Sequence, residues 1–138
     1  DTHVPGMISG KLKKSQIHDL IKNLDKLERA NNVLIFTHHP LKPIGSKWID
    51  RHICENSELL INALQSYKNL RFSIFSGHVH QEFHLKIGNI KFFTTPSTCY
   101  QFEALSDNFK VDENLSYGYR VITIHDKTIS TKVHRVLT

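Results

Sequence analysis

Two histidine motifs stand at the ends of two strand-like runs. Thr37-His38-His39-Pro40 follows the apolar run Val33-Leu34-Ile35-Phe36, and Gly77-His78-Val79-His80 follows Phe72-Ser73-Ile74-Phe75-Ser76. Imidazole suits borderline divalent metals, and at a strand's end it faces a crevice that substrate can reach. Ion pairs roughly 3.5–4 Å apart are the setting for phosphate-ester hydrolysis. In an extended segment the side chains of His78 and His80 leave the same face, so each would take a different ion of such a pair. Gly77 before them permits a sharp turn. His38 would complete the shell of one ion, while His39 should point elsewhere because adjacent side chains diverge. Pro40 then turns the chain out of the sheet. The same chemistry needs carboxylates, and none with suitable spacing lies upstream of His38. The chain therefore reads as the C-terminal half of an enzyme.

The elements that must hold these motifs follow from periodicity. Residues 1–14 read as a loop punctuated by Pro5, Gly6 and Gly10. Ser15 is the expected N-cap of a helix carrying Ile17, Leu20, Ile21, Leu24 and Leu27 and ending near Asn31-Asn32. Val33 to Phe36 reads as a strand buried on both faces. A loop with Pro40, Pro43 and Gly45 leads to a second helix, capped by Asn56 or Ser57 and running to about Tyr67. Arg71 to Ser76 is the next strand. Two hairpins follow, turning at Gly88-Asn89 and Asp126-Lys127, with a long connection from Ser97 to Leu115 between them. Two helix–strand units followed by hairpins predict an α/β layered fold.

Composition bounds the rest. A length of 138 residues suits one domain. No apolar run approaches the roughly 20 residues of a membrane helix. There is no signal-peptide pattern, and a start at Asp1 fits a truncated or processed product. Lys and Arg outnumber Asp and Glu by 18 to 13, but the excess is dispersed, densest at Lys11, Lys13 and Lys14. That dispersal argues against specific nucleic-acid binding. Cys54 and Cys99 make neither a disulfide framework nor a zinc-finger spacing, so a reduced, cytoplasmic compartment is expected.

Several stretches together resemble the calcineurin-like metallophosphoesterases, most closely their bacterial cyclic-nucleotide phosphodiesterase branch. They are Phe36 to Gly45, Trp48-Ile49-Asp50, the helix start Glu55-Asn56, Gly77 to Glu82, and Thr95-Pro96-Ser97-Thr98-Cys99-Tyr100-Gln101-Phe102. The last is the most branch-specific, and the resemblance runs from about Gly10 to the end. It implies a four-layer α-β-β-α sandwich, of which residues 1–138 form the C-terminal part of a single domain. It implies two divalent ions, Mn, Fe or Zn, with His38 and His78 on one and His80 on the other. The implied reaction is metal-dependent phosphodiester hydrolysis by the full-length protein, taking 3′,5′-cyclic AMP to the 5′-monophosphate. The family's Asp-x-His, Gly-Asp and Gly-Asn-His motifs belong to an N-terminal half. This sequence has no Gly-Asp pair and no Gly-Asn-His, and Asp1-Thr2-His3 matches the first only by letter. Alone, the chain should bind metal poorly and hydrolyse little.

Other residues are read more openly. His39 contacts substrate, orients His38 from behind, or is an ordinary loop histidine. Ser97, Thr98, Cys99 and Tyr100 either line the cleft mouth or pack as a structural loop with Cys99 buried. Nothing nearby activates Cys99 as a nucleophile. His52, His84, His125 and His134 read as surface or strand histidines, and Trp48 and Tyr67 as packing residues. Half a sandwich would leave sheet edges and apolar faces open to association. Two alternatives stand beside the cyclic-nucleotide reading: a general phosphodiesterase acting on glycerophosphodiesters or nucleic-acid ends, and a catalytically inactive partner-binding domain.

Overall fold

A computed structural model describes residues 1–27 and 32–136 of the chain. The runs that precede the two histidine motifs become neighbouring parallel strands, β1 (Asn32–Thr37) and β2 (Arg71–Ser76), with Thr37 opposite Ser76. Parallel neighbours require a crossover, and α2 (Ser57–Ser66) lies within it. β3 (Phe83–Ile87) and β4 (Ile90–Thr94) extend the sheet in the order β1-β2-β4-β3, with β4 parallel to β2 and β3 antiparallel at the edge. Gly88 takes the positive φ that the two-residue turn demands. Asn89 beside it donates to the carbonyls of Leu64, Tyr67 and Leu70, pinning this hairpin to the end of α2.

Alternation decides which side of the sheet the helices cover. Phe72 and Ile74 of β2 and Ile90 and Phe92 of β4 join Leu60, Ile61 and Leu64 of α2 in one buried cluster. Ile17 and Leu24 of α1 (Lys14–Leu24) close it. Burying each such side chain contributes about 1.5–3 kcal/mol. The opposite face carries Phe36, Phe75 and Phe93 as a stacked row, with centroids 5.5 and 5.0 Å apart. A second hairpin, β7 (Gly118–His125) with β8 (Thr128–Arg135), reaches this face. There the Arg120 guanidinium lies over Phe93, and its Nη2 donates to the Thr94 carbonyl at 2.7 Å. The mixed α/β layering expected from sequence is present, as are both hairpins and their turns.

Four local expectations are corrected. The first helix begins at Lys14, not after Ser15; Gln16 Oε1 accepts from the Lys13 N–H at its start. It closes at Leu24 rather than near Asn31-Asn32, of which Asn31 lies outside the described residues; Leu27 is exposed. β1 is not buried on both faces, since Phe36 is 65% exposed. The connection from Ser97 to Leu115 is not wholly irregular: β5 (Gln101–Phe102) pairs with β6 (Val111–Asp112) inside it.

Candidate metal centre

β1 and β2 end together, so the two motifs leave the sheet side by side. The Thr37 hydroxyl donates to the His39 carbonyl at 2.9 Å and lies 3.0 Å from the Ser76 hydroxyl. The Gly77 N–H donates to the His38 carbonyl at 3.1 Å. Past these ties, His38 Nε2 and His78 Nδ1 face each other at 3.2 Å, their rings edge to face. Two imidazole lone pairs cannot face each other at that distance without a proton or a cation between them. A metal–nitrogen bond of about 2.0–2.1 Å lets both nitrogens reach one ion at an angle of about 100°. His78 Nε2 is buried without a partner among the described residues, whether a proton or an ion lies at Nδ1. The donor set and spacing fit a divalent ion of the Mn, Fe or Zn kind.

The segment that carries His78 and His80 is not extended. Both residues adopt the left-handed conformation, φ 64° and φ 50°. Histidine is among the residues that tolerate this region, at a cost of about 1–3 kcal/mol when held there. Val79 between them supplies the hold. It is fully buried with Ile44, Ile49 and Phe102. The sharp turn therefore rests on the two histidines, not on Gly77, whose φ is not positive and where an added Cβ would make only ordinary contact with His38. His80 consequently diverges from His78. Its Nδ1 lies 3.0 Å from the Tyr100 carbonyl and its ring stacks on Phe102 at 4.5 Å. A carbonyl only accepts, so Nδ1 carries the proton and Nε2 keeps its lone pair for a ligand.

His39 does not point elsewhere. It is 4% exposed and joins the cluster, with ring centroids 4.9 Å from His38 and 4.6 Å from His78. One nitrogen from each of His38, His39 and His78 lies within 4.8 Å of the other two. Burial, followed by the neighbouring imidazoles His39 and His38, pushes the His78 ring down to about 4. Burial likewise lowers His39 and His80, each opposed in part by a backbone carbonyl, Ile8 for His39 and Tyr100 for His80. The depression favours the neutral imidazole in all three rings, the form that can bind a metal wherever a nitrogen is not already taken by a hydrogen bond.

Ser97 is half-buried and hydrogen-bonded within its own loop. Its carbonyl accepts from Gly118 N–H and Gln101 Nε2, and its hydroxyl accepts from Cys99 N–H. Thr98 is exposed, and Cys99 is exposed rather than buried. This stretch reaches the site through Tyr100 and Phe102, which hold His80. Trp48 packs against Phe102 and Phe109, and Tyr67 against Phe72, as packing residues should. Sequence reasoning missed Thr2, Ile8 and Gly10, all of which touch His39. No local pattern marks them, because their partner lies 29 to 37 positions away.

No family model matches the chain. Over 137 residues, 99% of its length, it is 34% identical to the 3′,5′-cyclic adenosine monophosphate phosphodiesterase CpdA of Escherichia coli and 36% identical to that of Pseudomonas aeruginosa, covering 49% of each. It is 38% identical over 112 residues to a 3′,5′-cyclic-nucleotide phosphodiesterase of Nostoc sp., covering 80% of this chain and 41% of that protein. The chain thus spans about half the length of the curated relatives it matches.

Proposed function

We propose, for a chain that is a homologue of bacterial 3′,5′-cyclic-nucleotide phosphodiesterases, that it forms the C-terminal half of a dinuclear-metal phosphodiesterase domain acting on cyclic AMP. The observation that carries this reading is the 3.2 Å approach of His38 Nε2 to His78 Nδ1 at the ends of adjacent parallel strands. His38 and His78 would hold one ion through these nitrogens, and His80 would offer Nε2 to the other. When bound, the ions would supply Lewis-acid activation of water and neutralise charge on the phosphoryl oxygens.

The chain's own contribution is positioning. The register of β1 with β2 fixes the separation of His38 and His78. The Tyr100 carbonyl sets the tautomer of His80, and Phe102 sets the plane of its ring. Bridging carboxylates and the remaining ligands would come from the rest of the protein, so this half alone should hydrolyse little. The aromatic row Phe36-Phe75-Phe93 supports a second sheet layer on that face, giving a four-layer α-β-β-α sandwich in the whole domain. Two cysteines without a disulfide suit a reducing cytoplasm. No helix among the described residues is long and apolar enough to cross a membrane.

The test is hydrolysis of cyclic AMP by the full-length protein loaded with Mn²⁺, beside a glycerophosphodiester. The 5′-monophosphate should be the product, and His38→Ala and His78→Ala should each lower turnover at least about 100-fold and reduce bound Mn²⁺. Cyclic AMP proving the poorest substrate would overturn the substrate assignment. Wild-type metal content in both variants would overturn the ligand assignment.

A further inference from the structure

His39 sits where a third ligand would sit, yet its ring is already committed. Its Nε2 lies 2.9 Å from the Ile8 carbonyl, an acceptor only, so Nε2 bears the proton. Nδ1 then has the lone pair, and the Thr2 hydroxyl donates to it at 2.8 Å. The same hydroxyl oxygen accepts from the His39 backbone N–H at 3.3 Å. Thr2 is 1% exposed, so this pair is shielded from water. The ring packs closely on the backbone at Gly10, where an added Cβ would come within 2.5–2.9 Å of three His39 atoms. Gly10 is itself held by Ile53 and Glu55, since its N–H donates to Ile53 and its carbonyl accepts from Glu55 N–H. One imidazole is thus fixed at two nitrogens, at its backbone and by close packing on Gly10.

We propose that His39 is a positioning residue rather than a ligand, clamped by Thr2, Ile8 and Gly10 so that its ring fixes the orientations of His38 and His78. The inference rests on the metal-site reading and deepens it. It also gives the N-terminal segment a role: residues that look like a connecting loop brace the centre. With both nitrogens engaged, His39 has no lone pair for an ion, and its packing limits rotation of the two rings that do. Partners behind metal-binding histidines typically govern about 10–100-fold in affinity.

The test combines variants with a measurement on the unmodified protein. In the full-length protein, Thr2→Val removes the hydroxyl at nearly constant shape and should weaken Mn²⁺ binding about 10–100-fold. Thr2→Ser, which keeps the hydroxyl, should restore it. His38→Ala serves as the ligand control. Wild-type affinity in Thr2→Val, with affinity lost in His38→Ala, would overturn this inference and leave the metal reading standing. Should Thr2→Val fail to fold, histidine ¹⁵N spectra of the unmodified protein decide. His39 should show the Nε2–H tautomer and keep it when Zn²⁺ is added, while the His38 and His78 nitrogens shift. A coordination shift at His39 would overturn the inference alone. Unmoved signals at all three would sink it together with the metal reading.

Discussion

Burial of His78, reinforced by the neighbouring His39 and His38 rings, sets the terms for acid stability in the metal-free protein. The folded state holds His78 down to about 4 against an ordinary 6.5, so it refuses a proton that the unfolded chain accepts. The unfolded state therefore binds more protons between these values, and stability rises with pH across the window. The contribution is fully present above about pH 6.5 and is lost as pH falls towards 4. Urea midpoints of the metal-free protein should drop over this range, and His78→Gln should flatten the drop. An equal slope in wild type and variant would assign the acid sensitivity to other groups. None of this was legible in the sequence. Histidine content is visible there, but the burial that depresses His78 and its neighbours comes from packing. His39 is the clearest case, because the rule that adjacent side chains diverge places it away from the cluster. The rule fails where the backbone leaves the strand after Thr37, and Thr2 and Gly10 close on the ring from far along the chain.

At the scale of elements, the turn from Gly77 to His80 depends on Val79. Two left-handed residues on either side of a buried valine form a latch, with the histidines strained and the valine inserted among Ile44, Ile49 and Phe102. Val79→Ala should cost about 2–3 kcal/mol through lost burial and a residual cavity. It should also weaken Mn²⁺ binding, since the buried valine holds the turn that aims His78 and His80. Denaturant midpoints and metal affinity measured together check this. A stability loss with unchanged affinity would show that the ligands are held independently of the valine. Element identity was readable where local signals agree. The continuous run Arg71–Ser76 and the Gly88-Asn89 turn match their expected positions. The end of α1 was not readable, because the apolar spacing continues through Leu27 while packing stops using it at Leu24. Nor was the shape of the turn, since the spacing of His78 and His80 suits an extended strand as well as it suits a latch.

For the whole molecule, the governing contrast is between the two faces of the main sheet. One is sealed by α1 and α2, while the other shows a row of stacked phenylalanines whose end member, Phe36, is largely exposed. An apolar sheet face of this kind promotes association. The 138-residue chain on its own should elute larger than a monomer at micromolar concentration, and Phe36→Lys should shift it towards the monomer. Monomeric behaviour of both would show that the face is tolerated in water. The α/β class was legible in the order of elements. The exposure of Phe36 was not, because an apolar run of four cannot report whether both of its faces are covered.

The matched ends of β1 and β2 also make the chain unequal in the changes of length it can absorb. Sliding one strand past the other by a single residue would carry His38 about 3.3 Å along its axis and turn alternate side chains to the wrong face. A displacement of that size exceeds a whole metal–ligand bond. Gain or loss of a residue within Asn32–Thr37 or Arg71–Ser76 therefore dismantles the site even if every histidine survives. The mostly exposed stretch from Leu105 to Asn108, between the two short strands of the Ser97–Leu115 connection, lies outside this register and should absorb a change of length more readily. The spacing between the motifs is a measured length, set by the strands and not by the loops that join them.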